Sequence, residues 1–307
     1  MNDQVSPQKM IKHQAWLNGQ PCDQSLCFDR GLFYGDGFFT TILCHNQQLL
    51  NWSAHWQRLQ TSAARLAMPA LDQSRVLGLL EPALAAMPSN AFAVLKLVVT
   101  RAASGQGYTP AYDLTEADLR FLTYLLAPPA GLLIPIESTL NQQALSGLTA
   151  IVCQTPVSVN PSLAGIKHLN RLDNVLARRE VALAQADEGV MLDSRQQVVC
   201  ATQGNLVALY QDQGLALTPK LDQAGVAGTC LAQLQRLELE LANKPLRWQE
   251  QNLNLDTLLK ADAVFVCNAV RGVQALARLE QVEYDTRLVQ PINQAWWSWL
   301  LSDNGRL

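Results

Sequence analysis

The sequence predicts a fold of the α+β or α/β class that is divided into two domains. Strand and helix patterns alternate along the 307 residues, as expected for sheets covered by helices. A stretch rich in Pro and Gly, residues 127–131, separates two halves that each contain both kinds of element. We therefore predict a flexible tail at 1–12, an N-terminal domain at 13–128, a linker at 129–135 and a C-terminal domain at 136–307.

Composition and charge exclude several classes of protein. Hydrophobic residues make up 49% of the chain and charged residues 16%, values typical of a globular protein. The net charge of −3 gives no basis for binding nucleic acid or an anionic membrane. The longest apolar runs contain Pro or are too short to span a bilayer, and residues 1–13 lack the apolar core of a secretory signal. The seven Cys and four His are dispersed without metal-ligand spacing. We expect a cytoplasmic protein with reduced thiols and no metal.

The elements of the N-terminal half follow from turn residues and periodicity. Asn-Gly at 18–19 predicts a turn after a short opening strand, and Gly-Asp-Gly at 35–37 predicts a tight turn before a strand. Ser53 is a candidate N-cap for a helix that carries His55 and Arg58. A second helix is predicted at 72–87. Two strands are predicted at 91–101 and 119–126, with a loop at 105–108 between them.

The C-terminal half continues the alternation. A helix is predicted from about 169 to 186, because leucines recur there at helical spacing, and another is predicted at 230–242. Strands are predicted at 148–153, 189–192, 198–200, 205–210 and 262–268. A helix rich in Trp closes the chain.

Lys167 is the first candidate for chemistry. It follows Gly165-Ile166 and precedes the predicted helix, so it lies at the end of a rigid element between apolar neighbours. Desolvation lowers the pKa of an ammonium group, and a neutral amine forms a Schiff base with a carbonyl. The ordinary alternative is a solvated surface lysine.

The stretch 225–229, Gly-Val-Ala-Gly-Thr, is a candidate phosphate site because it directly precedes a predicted helix. Arg58 could bind the same phosphate. Each feature also has a simpler interpretation, a turn with its cap or a solvated charge. A phosphate site together with a carbonyl-reactive lysine favours pyridoxal 5'-phosphate as cofactor. The glycine pairs at 35–37 and 105–107 do not complete a dinucleotide-binding motif.

Several motifs in order resemble one enzyme group. They are Asp-Arg at 29–30 with Tyr-Gly-Asp-Gly at 34–37, His-x-x-Arg-Leu at 55–59, Ala-Gly-Ile-Lys-His-Leu-Asn-Arg-Leu at 164–172, Leu-Asp-Gln-Ala-Gly-Val at 221–226 and Cys-Asn-Ala at 267–269. From about residue 16 onward the chain resembles the fold-type IV pyridoxal-phosphate enzymes. This group contains branched-chain aminotransferases, D-amino-acid aminotransferases and 4-amino-4-deoxychorismate lyases, and the lyases resemble the chain most.

The resemblance implies a two-domain fold like that of D-amino-acid aminotransferase, with the cofactor in the cleft between domains, and a homodimer. It implies that Lys167 is the Schiff-base lysine and the general acid and base. The cofactor phosphate would be held by five positions: Arg58, the amides of Val226 and Ala227, Asn268 and Ala269. Arg101 would bind a substrate carboxylate, often across a dimer interface, with Tyr108 in the same binding loop.

Two positions depart from the group. Cys200 stands where members of the group usually carry a Glu that accepts a hydrogen bond from the cofactor's ring nitrogen, and a thiol is a weak partner unless its pKa is lowered. Gln106 stands where the lyases often carry Arg.

Three functions follow as hypotheses. The first is a lyase that converts aminodeoxychorismate to 4-aminobenzoate and pyruvate for folate biosynthesis. The second is an aminotransferase for a branched-chain or D-amino acid. The third is a low-activity paralogue that binds the cofactor, which the replacement of Glu by Cys200 favours.

Overall fold

A computed structural model describes residues 16–17, 20–21, 28–102, 105–129, 132, 147–302 and 305. The predicted tail at 1–12 lies outside these residues, as do most of the predicted linker at 129–135 and the turn at 18–19. Within the described part of the chain, no helix is both long and apolar enough to cross a membrane.

The described residues of the first half form six strands and three α-helices. In chain order they are β1 (Trp16–Leu17), β2 (Gln20–Pro21), α1 (Arg30–Tyr34), β3 (Gly37–His45), β4 (Gln48–Leu49), α2 (Trp52–Arg65), α3 (Gln73–Ala85), β5 (Phe92–Thr100) and β6 (Arg120–Leu126). Strands β3 to β6 form an antiparallel sheet in the order β4-β3-β5-β6. Apolar side chains of β3 and β5, among them Phe38, Ile42 and Leu95, form a buried core with Leu59 and Leu80 of α2 and α3.

The second half is built on a larger sheet. Its elements are β7 (Leu148–Val152), α4 (Leu172–Leu183), β8 (Glu188–Leu192), β9 (Gln197–Ala201), β10 (Asn205–Tyr210), β11 (Leu215–Pro219), α5 (Thr229–Leu234), β12 (Glu240–Leu241), β13 (Lys244–Pro245), β14 (Arg247–Gln251), β15 (Leu253–Asn254), α6 (Leu255–Leu259), β16 (Ala263–Asn268), β17 (Gly272–Leu279), β18 (Val282–Glu283) and α7 (Gln290–Leu301). The sheet order is β14-β11-β10-β16-β17-β7-β8-β9-β15, with β18 paired to β17.

Strand β16 is central to this sheet, and its residues 263–267 are all buried. A strand that is covered on both faces has a continuous run of apolar residues in the sequence. The run Ala-Val-Phe-Val-Cys therefore predicts β16 well. One buried cluster joins the two sheets: Leu43 and Val94 of the first pack with Phe265 of the second and with Trp296 and Trp297 of α7.

The segment around Lys167 forms a second link between the halves. The Phe39 N–H donates to the Lys167 carbonyl (2.9 Å), and the Leu169 N–H donates to the Gly37 carbonyl (3.1 Å). Strand β4 pairs with β3 only at Cys44 and His45. The Lys167 segment therefore pairs with the first residues of β3, beyond the reach of β4.

Most predicted strands are confirmed: the ranges at 91–101, 119–126, 189–192, 198–200, 205–210 and 262–268 correspond to β5, β6, β8, β9, β10 and β16. Two helix predictions were wrong in detail. The helix expected at 230–242 ends at Leu234, and residues 240–245 instead form the β12–β13 hairpin, whose turn holds Ala242 and Asn243 at positive φ (51° and 61°). Helix α2 begins at Trp52 after Asn51, not after Ser53.

Helix α4 also differs from the expectation. Residues 167–171 precede it in non-helical conformation, and the leucine stripe that predicted it points away from the core. Leu172 is 75% exposed and Leu183 is 74% exposed. The buried residues of the helix are Ala177 and Val181.

Candidate active site

A cavity of about 530 Å³ opens between the two sheets. Its wall takes residues from β3 and α2 of the first half and from the Lys167 segment, β9, the 225–229 turn and the end of β16 in the second. The polar side chains in the wall belong to Thr41, Arg58, Lys167, Arg171, Asn174, Cys200, Thr202, Gln203, Asn205, Thr229, Asn268 and Arg271. The structure thus brings together the predicted residues Lys167, Arg58, Cys200, Val226, Asn268 and Ala269.

Lys167 is half-buried, and its ammonium nitrogen lies 4.4 Å from the centre of the Phe39 ring. Burial, followed by Arg58, Arg171 and Lys96, lowers the pKa of Lys167 from 10.5 to about 7. Removing the side chain from water and surrounding it with cations both disfavour its charged form. At neutral pH a large fraction of this amine is therefore unprotonated and able to attack a carbonyl.

Arg58 extends from α2 across the cavity to the opposite domain. Its Nη2 donates to the Ala227 carbonyl (2.7 Å) and its Nη1 to Thr40 Oγ1 (3.4 Å), while its buried Nε has no partner among the described residues. The Thr40 hydroxyl also bonds His55 Nδ1 (2.7 Å). Burial, then Arg58 and Lys167, hold the pKa of His55 well below 6.5. A neutral histidine behind Thr40 adds no further positive charge to this side of the cavity.

The 225–229 turn is paired to the Lys167 segment. The Gly165 N–H donates to the Gly225 carbonyl, and the Ala227 N–H donates to the Gly165 carbonyl, both at 3.0 Å. Asn205 Nδ2 donates to the Val226 carbonyl (2.9 Å). The Ala227 amide is thus already bonded within the chain, and Ala227 does not line the cavity. Its role at the cofactor phosphate stays a prediction.

Thr229 was not among the predicted site residues, although the motif that ends on it was. It lines the cavity, and its hydroxyl is buried without a partner in the described part of the chain. A buried hydroxyl without a hydrogen bond is costly. Together with the unpaired Arg58 Nε, it marks a place for an anion.

Asn268 organises a turn at the end of β16. Its Oδ1 accepts from the N–H groups of Val270 (3.0 Å) and Arg271 (2.8 Å), and its Nδ2 donates to the Gln203 carbonyl (3.3 Å). These bonds present Ala269, Val270 and Arg271 to the cavity. Asn268 therefore shapes the wall with its own hydrogen bonds occupied.

Cys200 lies on β9 with its side chain buried in the wall. Burial raises the pKa of its thiol to about 12, although Arg171 and Lys167 act in the opposite direction. A neutral thiol at pH 7 is the result. The nearby carboxylate of Glu188 is buried and turned to Thr202, whose N–H donates to it at 3.1 Å, and it does not line the cavity.

Arg101 and Tyr108, which the resemblance assigns to substrate binding often across a dimer interface, do not line the cavity of this chain. The buried Arg101 pairs with Asp36 (Nε to Oδ1, 3.0 Å) and donates to the carbonyls of Leu66 and Ala67. Tyr108 is 86% exposed, and its ring packs on Tyr34 with centroids 5.1 Å apart. A role for either one in substrate binding stays a prediction that requires a second copy of the chain.

Comparison with known proteins places the chain in a family. The model of the family described as amino-transferase class IV matches residues 37–279. The chain belongs to this family. An aminodeoxychorismate lyase from Vibrio harveyi is 30% identical over 273 residues, which cover 87% of this chain and 92% of the relative. Membership of class IV confirms the predicted resemblance to fold-type IV enzymes and the predicted fold class.

Solved structures of similar fold agree with the class IV assignment. A crystal structure of 4-amino-4-deoxychorismate lyase from Pseudomonas aeruginosa superposes with a TM-score of 0.71 at 32% identity and covers 90% of this chain and 96% of its own. A hypothetical aminotransferase from Mycobacterium tuberculosis in its PLP-bound form has a TM-score of 0.72 at 18% identity and covers 93% and 98%. The second likeness concerns the fold alone.

Enzymes of class IV use pyridoxal phosphate, and the wall of this cavity fits that group. The unpaired Arg58 Nε and Thr229 hydroxyl suit a phosphate, and Lys167 supplies an amine with a lowered pKa. Gly228 keeps the turn narrow, since a Cβ there would lie 1.9 Å from Asn205 Oδ1. The protein is thus a pyridoxal-phosphate enzyme of fold type IV.

Proposed function

We propose that the protein is a 4-amino-4-deoxychorismate lyase, which converts aminodeoxychorismate to 4-aminobenzoate and pyruvate for folate biosynthesis in the cytoplasm. The observation that carries this proposal is the charge of the cavity. Among the described residues of its wall, Arg58, Lys167, Arg171 and Arg271 are basic and none is Asp or Glu. Such a wall suits a substrate with two carboxylates in addition to a cofactor phosphate. The similarity to the Vibrio harveyi and Pseudomonas aeruginosa lyases supports the same choice.

Each residue of the wall has a separate role in this reaction. Arg58, Thr229 and the turn at Val226 bind the phosphate, with Asn268 and Ala269 on the same wall. Bound pyridoxal phosphate supplies the aldehyde that captures the substrate amine and a ring that withdraws electrons. Lys167 Nζ, unprotonated in large part near pH 7, removes the proton from the substrate carbon that bears the amine. The carbon–oxygen bond to the enolpyruvyl group then breaks, the substrate ring becomes aromatic, and the departing three-carbon group takes up a proton to become pyruvate.

This assignment of roles does not require a carboxylate beside the cofactor ring. The neutral Cys200 thiol is a poor partner for a protonated ring nitrogen. Aminotransfer depends on strong electron withdrawal by the ring, whereas formation of an aromatic product drives the lyase reaction by itself. Cys200 therefore favours the lyase over the aminotransferase.

The test is an assay of purified, cofactor-loaded protein with freshly prepared aminodeoxychorismate. We expect 4-aminobenzoate and pyruvate in equal amounts, and neither product from the Lys167→Ala variant. If the loaded protein forms neither product but converts its cofactor to the amine form with an amino acid alone, the aminotransferase is the correct assignment. If it does neither, the protein is a low-activity paralogue.

We also propose a homodimer. Apolar side chains around α1 and the 105–112 loop are exposed, among them Leu32 (70%), Phe33 (54%), Tyr108 (86%) and Tyr112 (92%). A patch of this kind on a soluble enzyme favours contact with another protein surface. Light scattering after size-exclusion chromatography tests this, and a monomer at micromolar concentration would contradict it.

A further inference from the structure

The four basic side chains in the cavity wall are not equivalent. Arg58 bonds the Ala227 carbonyl and the Thr40 hydroxyl. Arg171 donates from Nε to the His168 carbonyl (3.1 Å) and from Nη2 to the Ile166 carbonyl (3.3 Å). Lys167 is assigned to the Schiff base with the cofactor aldehyde. In the part of the chain that the structure describes, the Arg271 guanidinium has no hydrogen bond or ion pair of its own.

Arg271 is nonetheless half-buried in the wall. Its guanidinium donors are unoccupied within the described chain, so they are available to an anionic ligand that enters the cavity. The fork of donors on a guanidinium matches the two oxygens of a carboxylate.

The backbone that carries Arg271 is held rigidly. Asn268 Oδ1 accepts from the Arg271 N–H, and the next residue, Gly272, has φ +66°. A Cβ at Gly272 would lie 2.8 Å from Trp296 Cδ1, so the turn is pressed against the buried α7. A rigid turn fixes the point from which the side chain extends into the cavity, and this favours a specific contact.

We propose that Arg271 binds a carboxylate of the substrate, and thereby selects a dicarboxylate over an amino acid with a single carboxylate. This inference rests on the proposed lyase function and adds to it the residue that sets substrate class. Because Arg271 would bind a carboxylate and take no part in bond breaking, its removal should affect binding more than the chemical step.

The experiment compares Arg271→Met and Arg271→Lys with the wild type and with Arg278→Met as the matched control. Arg278 lies on β17, the strand that follows the turn of Arg271, but is exposed and donates to the Glu280 carbonyl outside the cavity. For Arg271→Met we expect KM for aminodeoxychorismate to rise by about tenfold or more, with kcat changed less than about threefold. Arg271→Lys restores most of the affinity, and Arg278→Met behaves as the wild type. An unchanged KM in a cofactor-loaded Arg271→Met variant overturns the proposal.

A second measurement separates this proposal from the lyase assignment. Calorimetric titration of the loaded protein uses 3-(carboxymethoxy)benzoate, which has two carboxylates, and 3-methoxybenzoate, which has one. We expect Arg271→Met to lose most of the preference for the dicarboxylate, whether or not the wild type turns over aminodeoxychorismate. If the wild type has no such preference, or if the variant keeps it, Arg271 is not a carboxylate anchor even when the lyase reaction itself is observed.

Discussion

Phe39 holds Lys167 at two points: its N–H donates to the lysine carbonyl at 2.9 Å, and its ring centre lies 4.4 Å from the lysine Nζ. Lys96 Nζ also lies 4.7 Å from the centre of the Phe39 ring. Attraction between a cation and a ring offsets only part of the cost of desolvating an ammonium group. One residue of β3 therefore contacts both the backbone and the amine of Lys167, while burial and the neighbouring cations keep that amine partly neutral.

The lowered pKa of Lys167 predicts how cofactor uptake depends on pH. Because the folded-state pKa is about 7, the neutral, reactive amine increases as pH rises through 7. In apoprotein mixed with pyridoxal phosphate, the rate of covalent attachment, followed by stopped-flow absorbance, should rise with a midpoint near that value. Lys167→Ala should show no attachment after borohydride reduction and mass spectrometry. A midpoint near the ordinary lysine value of about 10 would contradict the lowered pKa.

Replacement of Cys200 tests which group faces the cofactor ring. In Cys200→Glu, a carboxylate that can accept from the ring nitrogen replaces a neutral thiol. We expect the ring to keep its proton to higher pH, as measured by absorbance and by ¹⁵N resonance of labelled cofactor. Cys200→Ser, which remains neutral, is the control and should leave both signals unchanged. The same spectrum in Cys200→Glu and the wild type would show that residue 200 does not contact the ring nitrogen.

The phosphate site predicts a graded loss of cofactor affinity. Thr229→Val removes the buried hydroxyl that has no partner in the described chain, and should raise the dissociation constant of pyridoxal phosphate about tenfold, as for loss of one hydrogen bond to an anion. Arg58→Met removes a charge and should raise it by about a hundredfold. Thr229→Ser keeps the hydroxyl and should bind as the wild type does. Fluorescence titration of the apoprotein measures all three constants, and equal affinity in Thr229→Val and Thr229→Ser would contradict the role of the hydroxyl.

Gly228 predicts a local packing limit. An added Cβ would lie 1.9 Å from Asn205 Oδ1, so Asn205 must move and lose its bond to the Val226 carbonyl. We expect Gly228→Ala to lower the free energy of unfolding by about 1–3 kcal/mol and to weaken cofactor binding.

Gly78 provides the matched control for this substitution. It lies inside α3, and nothing would come within 4 Å of its Cβ. Gly78→Ala should therefore stabilise the protein by about 0.5–1 kcal/mol. Urea denaturation of both variants measures the two effects. Equal stability of Gly228→Ala and the wild type would show that Asn205 adapts without loss.

The sequence by itself determined the features that depend on neighbours along the chain. Strands such as β16 follow from a continuous apolar run, and Lys167 is recognisable because Gly165, Ile166 and the start of a helix surround it within a few positions. Arg58 and the 225–229 turn were found in the same way. Their motifs are local, so the residues could be named before their positions in space were known.

Tertiary structure decided everything that depends on residues distant in sequence. The apolar pattern at 230–242 fits a helix, but the hairpin of β12 and β13 ends it early. The sequence does not show that Arg101 and Arg271 have different surroundings. Only the fold pairs Arg101 with Asp36 and places Arg271 in the cavity wall. The pKa values of Lys167 and Cys200 likewise depend on burial and on charges brought together from separate elements. Electrostatic surroundings are a property of the folded chain, and for that reason the sequence named the reactive residues while the structure determined their protonation.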